Sequence, residues 1–205
     1  GWSPPGEYSE QEIFSLDELI QHFSLDRVSK AGAIFDPEKL AWINSQYIKK
    51  LEIDELVKMA VPYLEKAGYL SEEVDPKWLA ELVKLNQSGM DTISDIVQLS
   101  ELFFTQDHQI DKEARQVLSE EQSPIVIEAF LEKLKTLDDY QPDTIKAKLK
   151  EVQKETKYRG RKLFMPIRVA ATGRKNGPDL NTTLYLLGKE KVIQRLEEVF
   201  KSLVS

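Results

Sequence analysis

The sequence predicts an all-α chain made of two consecutive helical-bundle units. Three observations carry this. Apolar residues recur at helical spacing along most of the 205 residues, Asp-Pro pairs stand twice where a helix would begin, and no run alternates as a half-buried strand does. The composition is that of an ordinary folded chain, 41% hydrophobic and 31% charged, with 9 Gly and 9 Pro.

Residues 1–11 carry Pro4, Pro5 and Gly6 and read as extended or turning. The first helix starts at Ser15, which forms a capping box with Glu18 ahead of Leu19, Ile20 and Phe23. Residues 28–35, with Gly32 among small residues, read as a loop. Asp36 then caps a second helix. Pro37 suits its first position because it has no N–H to leave unpaired, and the Asp side chain accepts from one of the free N–H groups. Leu40, Ile43 and Tyr47 follow up to Lys49 and Lys50, whose charges suit the negative end of a helix. Trp42 and Tyr47 are assigned to packing, as an aromatic stripe beside Leu40 and Ile43. A third helix runs from Asp54 to Gly68, with Pro62 kinking or splitting it.

The Asp-Pro start recurs at Asp75 and Pro76, ahead of Leu79, Leu82, Val83 and Leu85. It places a boundary within 70–74, so the expected units are 1–70 and 71–205, with room for a subdivision near residue 140. Periodic runs over 94–104, 111–118, 124–137 and 142–156 predict further helices. A basic loop follows, then a helix over 164–171, a turn over 172–179, and a last amphipathic helix over 188–203 carrying Val192, Leu196, Val199 and Leu203.

The net charge of -7 hides an asymmetry. Residues 1–140 hold 13 Lys+Arg against 28 Asp+Glu, whereas residues 141–205 hold 15 against 7. Most of the positive excess lies between residues 141 and 175 and continues into a Gly/Pro loop. An acidic body with one basic end orients a phosphate backbone onto that end, so Lys157, Arg159, Arg161, Lys162, Arg174 and Lys175 are the candidates for holding a nucleic-acid backbone. The competing reading is a helical protein-interaction module whose acidic first 140 residues form the contact surface and whose basic tail balances charge.

Catalytic constellations are missing. With no Cys the sequence offers no disulfide, thiolate nucleophile or Cys-based metal site. His22 and His108 are not spaced as a metal pair and read as surface or capping residues. Gly173, Gly177 and Gly188 do not space into a phosphate-binding loop, and Gly188-Lys189 reads as a helix entrance. The many carboxylates stand at helical spacing beside lysines. No run approaches the roughly 20 apolar residues of a membrane span, and no signal segment is visible. The expectation is a soluble, cytoplasmic binding module. Because the sequence opens at Gly1 without Met, a piece of a longer protein is expected.

Particular strings go further. Gly1-Trp2-Ser3-Pro4, Glu12-Ile13-Phe14-Ser15-Leu16, Arg27-Val28-Ser29-Lys30, Phe35-Asp36-Pro37-Glu38-Lys39-Leu40 and Trp42-Ile43-Asn44-Ser45-Gln46-Tyr47-Ile48 resemble the region of bacterial glutamyl-tRNA synthetases that follows the catalytic core. Independently, the run Met165 to Gly173, Gly177-Pro178-Asp179-Leu180 and Leu187-Gly188-Lys189-Glu190-Lys191 resemble that family's anticodon-binding end. Strings like the H-I-G-H and K-M-S-K-S motifs of class I synthetases are missing from the sequence. The resemblance therefore implies a stem-contact region over 1–70 and an all-helical anticodon-binding region over 71–205. No catalytic residue and no cofactor belong to this chain, and it is expected to have no activity alone. The parent would be a glutamate-tRNA ligase whose N-terminal catalytic domain, absent here, uses ATP and magnesium. The implied partners are a glutamate-accepting tRNA and that domain in cis, with no membrane, and the implied state is a monomer.

By the same resemblance Arg168, Gly177, Pro178 and Leu180 lie at the first anticodon bases, with Thr172 beside them. The residues suit this, since Gly and Pro let backbone groups approach a base and Arg offers a planar, multi-donor head. Some members carry an Arg for the third base just before the segment matching Met90-Asp91-Thr92. Here Gly89 stands there, leaving Gln87 or Asn86 to meet a base edge. Arg27, Ser29, Lys30, Lys39, Asn44 and Lys49 are the candidates for the inner tRNA stem.

Overall fold

The computed structural model describes residues 2–32, 34–70, 74–105 and 108–204. Among them are eleven α-helices: α1 (Leu16–His22), α2 (Pro37–Ile48), α3 (Ile53–Lys66), α4 (Pro76–Asn86), α5 (Ile96–Phe104), α6 (Lys112–Leu118), α7 (Gln122–Lys135), α8 (Pro142–Thr156), α9 (Arg161–Thr172), α10 (Leu180–Leu187) and α11 (Lys189–Val204). The β structure among the described residues is one antiparallel bridge, Trp2 to Val28. The chain is all-α.

Helix starts follow the side chains that can accept from orphan N–H groups. Glu18 N donates to Ser15 Oγ at 3.2 Å while Ser15 N donates to the Glu18 carboxylate at 2.7 Å, which closes the capping box. Asp36 accepts from Lys39 N at 3.0 Å, Asp75 from Lys77 N at 3.1 Å, Asp111 from Ala114 N at 2.6 Å and Asp179 from Thr182 N at 2.9 Å. Pro62 lies inside α3, which continues through it as one helix.

α7 is the hub. It packs against α8, α9 and α11, and its Ile127, Phe130 and Leu134 are fully buried. α3 lies on α4 and α5, and α10 bridges α8, α4 and α11. One continuous apolar core runs from Ile48 at the end of α2 to Val199 on α11. Each fully buried Leu, Ile or Phe contributes about 1.5–3 kcal/mol relative to its exposed state.

α11 also ties helix ends together. Lys191 Nζ donates to Phe103 O at 3.2 Å and Thr105 O at 3.4 Å at the end of α5, and Arg195 Nη1 donates to Ala171 O at 2.8 Å near the end of α9. Arg195 is 3% exposed, and burial lowers the pKa of both cations.

The structure departs from the sequence reading in three places. Residues 180–187 form a helix where none was predicted. α9 begins at Arg161, so Arg161 and Lys162 sit in its first turn rather than in a loop. The stripe on α2 is not packed: Leu40 is 54%, Trp42 43% and Tyr47 48% exposed, because α2 enters the core through Ser45 and Ile48 instead. α1 is similar, with Leu16 and Ile20 exposed. The expected unit boundary falls on residues 71–73, outside the described residues. On its near side α3 already contributes Leu56, Ala60 and Leu64 to the common core.

Candidate nucleic-acid interface

α9 builds the site. It buries Leu163, Ile167, Ala170 and Ala171 against the core and leaves Arg168 on its outer side, partly buried. Pro166 sits within this helix, buried like its neighbours. The helix stops where the Thr172 hydroxyl bonds back to Arg168 O at 2.7 Å and Gly173 takes a left-handed φ of 73° while donating its N–H to Val169 O. A Cβ on residue 173 would lie 2.2 Å from Gln109 O, and Asp111 N donates to Gly173 O at 3.2 Å, so the 109–111 segment is docked directly on this turn.

Residues 174–179 then fold back over α9. Arg168 Nη2 donates to Pro178 O at 2.7 Å, and Arg168 Nη1 lies 2.9 Å from where a Cβ on residue 177 would stand. Burial lowers the pKa of this guanidinium and Asp179 works the other way; it stays charged at any ordinary pH. Around it opens a cavity of about 260 Å³. Leu99, Leu102 and Phe103 of α5 wall one side, and Asn86, Arg168, Thr172, Arg174, Asn176, Gly177, Pro178 and Thr183 supply the rest. Apolar walls with a fixed planar donor at one end suit a flat heteroaromatic ring that stacks on one face and hydrogen-bonds along its edge.

The predicted site residues divide. Arg168, Thr172, Gly177 and Pro178 meet at this recess. Leu180 is 7% exposed and belongs to the core at the first turn of α10. Gln87 donates its amide to Ile48 O and Leu51 O, both at 2.9 Å, which ties α2 to the 87–89 turn, and it is its neighbour Asn86 that reaches the recess. Of the cations, Arg161 pairs with Glu120 at 3.1 Å, Arg174 with Glu101 at 3.3 Å and Lys175 with Glu113 at 2.7 Å. Lys157, Arg159 and Lys162 are exposed and make no ion pair among the described residues.

The family model described as "Anticodon binding domain" matches residues 55–200, most of the chain. The chain belongs to the anticodon-binding domain family. Its relatives in that family include a glutamate–tRNA ligase of Bacillus licheniformis, 47% identical over 204 residues, and one of Geobacillus stearothermophilus, 50% identical over 204 residues; each alignment covers 98% of this chain and 41% of the relative. The chain thus spans about two fifths of the length of these curated relatives. The crystal structure of a glutamate tRNA ligase from Elizabethkingia meningosepticum in complex with its amino acid superimposes with a TM-score of 0.82 at 26% identity, over 99% of this chain and 39% of that one. A glutamate-tRNA synthetase from Elizabethkingia anophelis gives 0.78 at 26% identity, over 98% and 38%.

The six stem-contact candidates all lie before the part that matches the anticodon-binding family. Arg27 donates to Pro4 O at 3.2 Å, Lys39 pairs with Glu12 at 2.9 Å, and the Asn44 amide donates to Asp91 O. Ser29 accepts from Ala31 N at 3.1 Å. Lys30 and Lys49 are exposed. Three of the six therefore hold the N-terminal segment to itself or to the 91–95 turn. The residues that sequence reasoning missed are Leu99, Leu102, Phe103, Asn176 and Thr183. Those of α5 reach α9 across some seventy residues of chain, and no local pattern announces such a meeting.

Proposed function

We propose that this chain is the tRNA-holding, anticodon-reading portion of a glutamate–tRNA ligase. The observation that carries the reading is the recess in which Arg168 is clamped on Pro178 O between α5 and the 173–179 turn. An unpaired anticodon base enters it, stacks on the α5 side chains and meets Arg168 along its edge, while Lys157, Arg159 and Lys162 hold neighbouring phosphates. In this reading residues 1–70 face the inner tRNA stem and 71–205 the anticodon. The catalytic part, with ATP and magnesium, lies outside this sequence; among the described residues no group of three or more acidic or His side chains is placed to hold a metal. The chain acts as a monomer in the cytoplasm, and among the described residues no helix is long and apolar enough to cross a membrane.

The ion pairs of Arg161, Arg174 and Lys175 favour a second reading, in which the basic tract balances acidic neighbours in a protein-interaction module. All three are surface pairs, worth about 0–1 kcal/mol each, which a phosphate or a base can replace at little cost. Binding to a glutamate tRNA transcript and to the same transcript with its anticodon replaced, each across a salt series, separates the readings. Preference for the correct anticodon, lost in Arg168→Ala, supports anticodon reading. Equal affinity for both transcripts leaves only a basic patch, and binding to neither returns the interaction module.

A further inference from the structure

The two walls of the Arg168 recess belong to different packing groups. α5, which supplies Leu99, Leu102 and Phe103, lies on α3 and α4, whereas α9, which supplies Arg168 and Thr172, lies on α6, α7 and α11. α11 reaches both walls. Lys191 Nζ donates to Phe103 O at 3.2 Å and Thr105 O at 3.4 Å, and Arg195 Nη1 donates to Ala171 O at 2.8 Å. The Phe103 and Ala171 carbonyls stand among the last four of their helices, which have no partner within the helix. Lys191 and Arg195 are four residues apart on α11, so about 6 Å of one helix spans the ends of the two walls. Arg195 is 3% exposed, and its Nη2 is buried with no hydrogen-bond partner among the described residues.

We propose that Lys191 and Arg195 are positioning residues for base reading: without touching RNA, they hold the end of α5 at a fixed distance from the end of α9 and so set the width of the Arg168 recess. The inference rests on the anticodon reading above and adds what keeps that recess at the width of a base. Burying a cation is a poor way to gain stability, because desolvation offsets much of what its bonds contribute and an apolar side chain of similar size packs as well or better. What a buried donor adds is direction. Its bonds go to particular carbonyls, whereas apolar contact alone is non-directional and lets helices slide. Phe103 joins the two roles, since its carbonyl is held by Lys191 and the residue itself lines the recess. Ala171 lies three residues beyond Arg168 on α9, so a shift at its carbonyl carries to the guanidinium within one turn. Stacking is short-ranged, and about 0.5–1 Å of extra gap forfeits roughly a quarter to a half of the attraction. Lys157, Arg159 and Lys162 do not line the recess, so phosphate contacts made there are independent of its width.

The test uses the full chain with a glutamate tRNA transcript and its anticodon-replaced counterpart, affinities read by fluorescence anisotropy and folding by urea unfolding. Lys191→Met and Arg195→Met are each expected to lower the preference for the correct anticodon by about five- to tenfold, with affinity for the replaced transcript and its salt dependence as in wild type. Lys191→Arg, which keeps a donor of sufficient reach, keeps most of the preference. Lys189 supplies the control. It stands on the same helix and donates to Leu137 O at 2.7 Å, beyond the end of α7 and outside the recess lining, so Lys189→Met loses a like bond while the preference stays. Partial unfolding lowers the affinity for both transcripts by the same factor and leaves their ratio alone, so the ratio reads position and not stability. Should Arg195→Met fail to unfold cooperatively, Lys191→Met, at a half-buried position, decides in its place. If the Met variants at 191 and 195 keep the wild-type ratio while Arg168→Ala loses it, or if Lys189→Met lowers the ratio equally, the positioning role falls and the anticodon reading stands. If Arg168→Ala changes nothing either, the anticodon reading falls with it.

Discussion

Gly177 and Arg168 share a space that only one of them can fill: a Cβ on residue 177 would stand 2.9 Å from Arg168 Nη1. The guanidinium occupies that space, and from there its other nitrogen reaches Pro178 O at 2.7 Å. Gly177→Ala therefore displaces the Arg168 head rather than the backbone, because the clash is with the free end of a flexible side chain. The affinity ratio between correct and replaced anticodons is expected to fall about tenfold, and the urea midpoint should fall by the equivalent of about 1 kcal/mol, because residue 177 has a φ of 159° that L side chains rarely adopt. A ratio equal to wild type would show that Arg168 reads nothing from this position.

Variants of Lys157 and Lys162 should both weaken RNA binding but differ in stability. Lys162→Ala, in the exposed first turn of α9, should weaken every RNA alike and lower the slope of log K against log salt by about 1. Lys157 is the one described non-Gly residue with positive φ, at 63°, where it caps α8. Lys157→Gly removes the same kind of charge but relieves the left-handed conformation. RNA binding should weaken as the fold gains about 1 kcal/mol, read as a rise in urea midpoint at constant m.

Gly173→Ala should be costly. The new Cβ would lie 2.2 Å from Gln109 O, a backbone atom that cannot swing aside, at a φ of 73°. A loss of about 1–3 kcal/mol is expected. Hydrogen exchange should localise the loosening to 109–111, whose bond from Asp111 N to Gly173 O would be strained.

The Glu18 carboxylate is held below its ordinary pKa, first by the Ser15 N–H and then by the Ser15 hydroxyl. A carboxylate depressed in the folded state stabilises it above the unfolded pKa of about 4.3 and loses that contribution as pH falls through the folded value. α1 should therefore fray from its first turn only in acid. An NMR titration should find Glu18 below the usual Glu range in wild type and only partly raised in Ser15→Ala, which removes the hydroxyl and keeps the Ser15 N–H.

Helix starts were the most legible part of the chain. The capping box at Ser15 and Glu18 and the Asp-Pro pairs at residues 36 and 75 are local chemistry, and the structure shows each as a hydrogen bond. α10 escaped notice because its Leu180, Thr183, Leu184, Leu186 and Leu187 are all buried: a short helix covered on most sides has no apolar stripe to reveal its period. The stripe on α2 misled for the opposite reason. Periodicity shows which face is apolar, but not whether anything covers it. At the site, Arg168 and the Gly177-Pro178 turn were legible because they lie within ten residues of each other and match the family's strings. Glu101 was not, since its pairing with Arg174 spans 73 residues and exists only once α5 meets α9.

The hooks on α11 bear on how the molecule is made. A chain leaves the ribosome from its N-terminus, and its parts can fold as they emerge. The α5 and α9 walls of the recess are synthesised well before Lys191 and Arg195, the residues that tie down the ends of those two helices. During synthesis the cleft around Arg168 thus lacks its fastening until most of α11 has been made. A nascent chain halted before α11 would display the basic tract without a finished recess, and so would hold RNA by charge without choosing among anticodons.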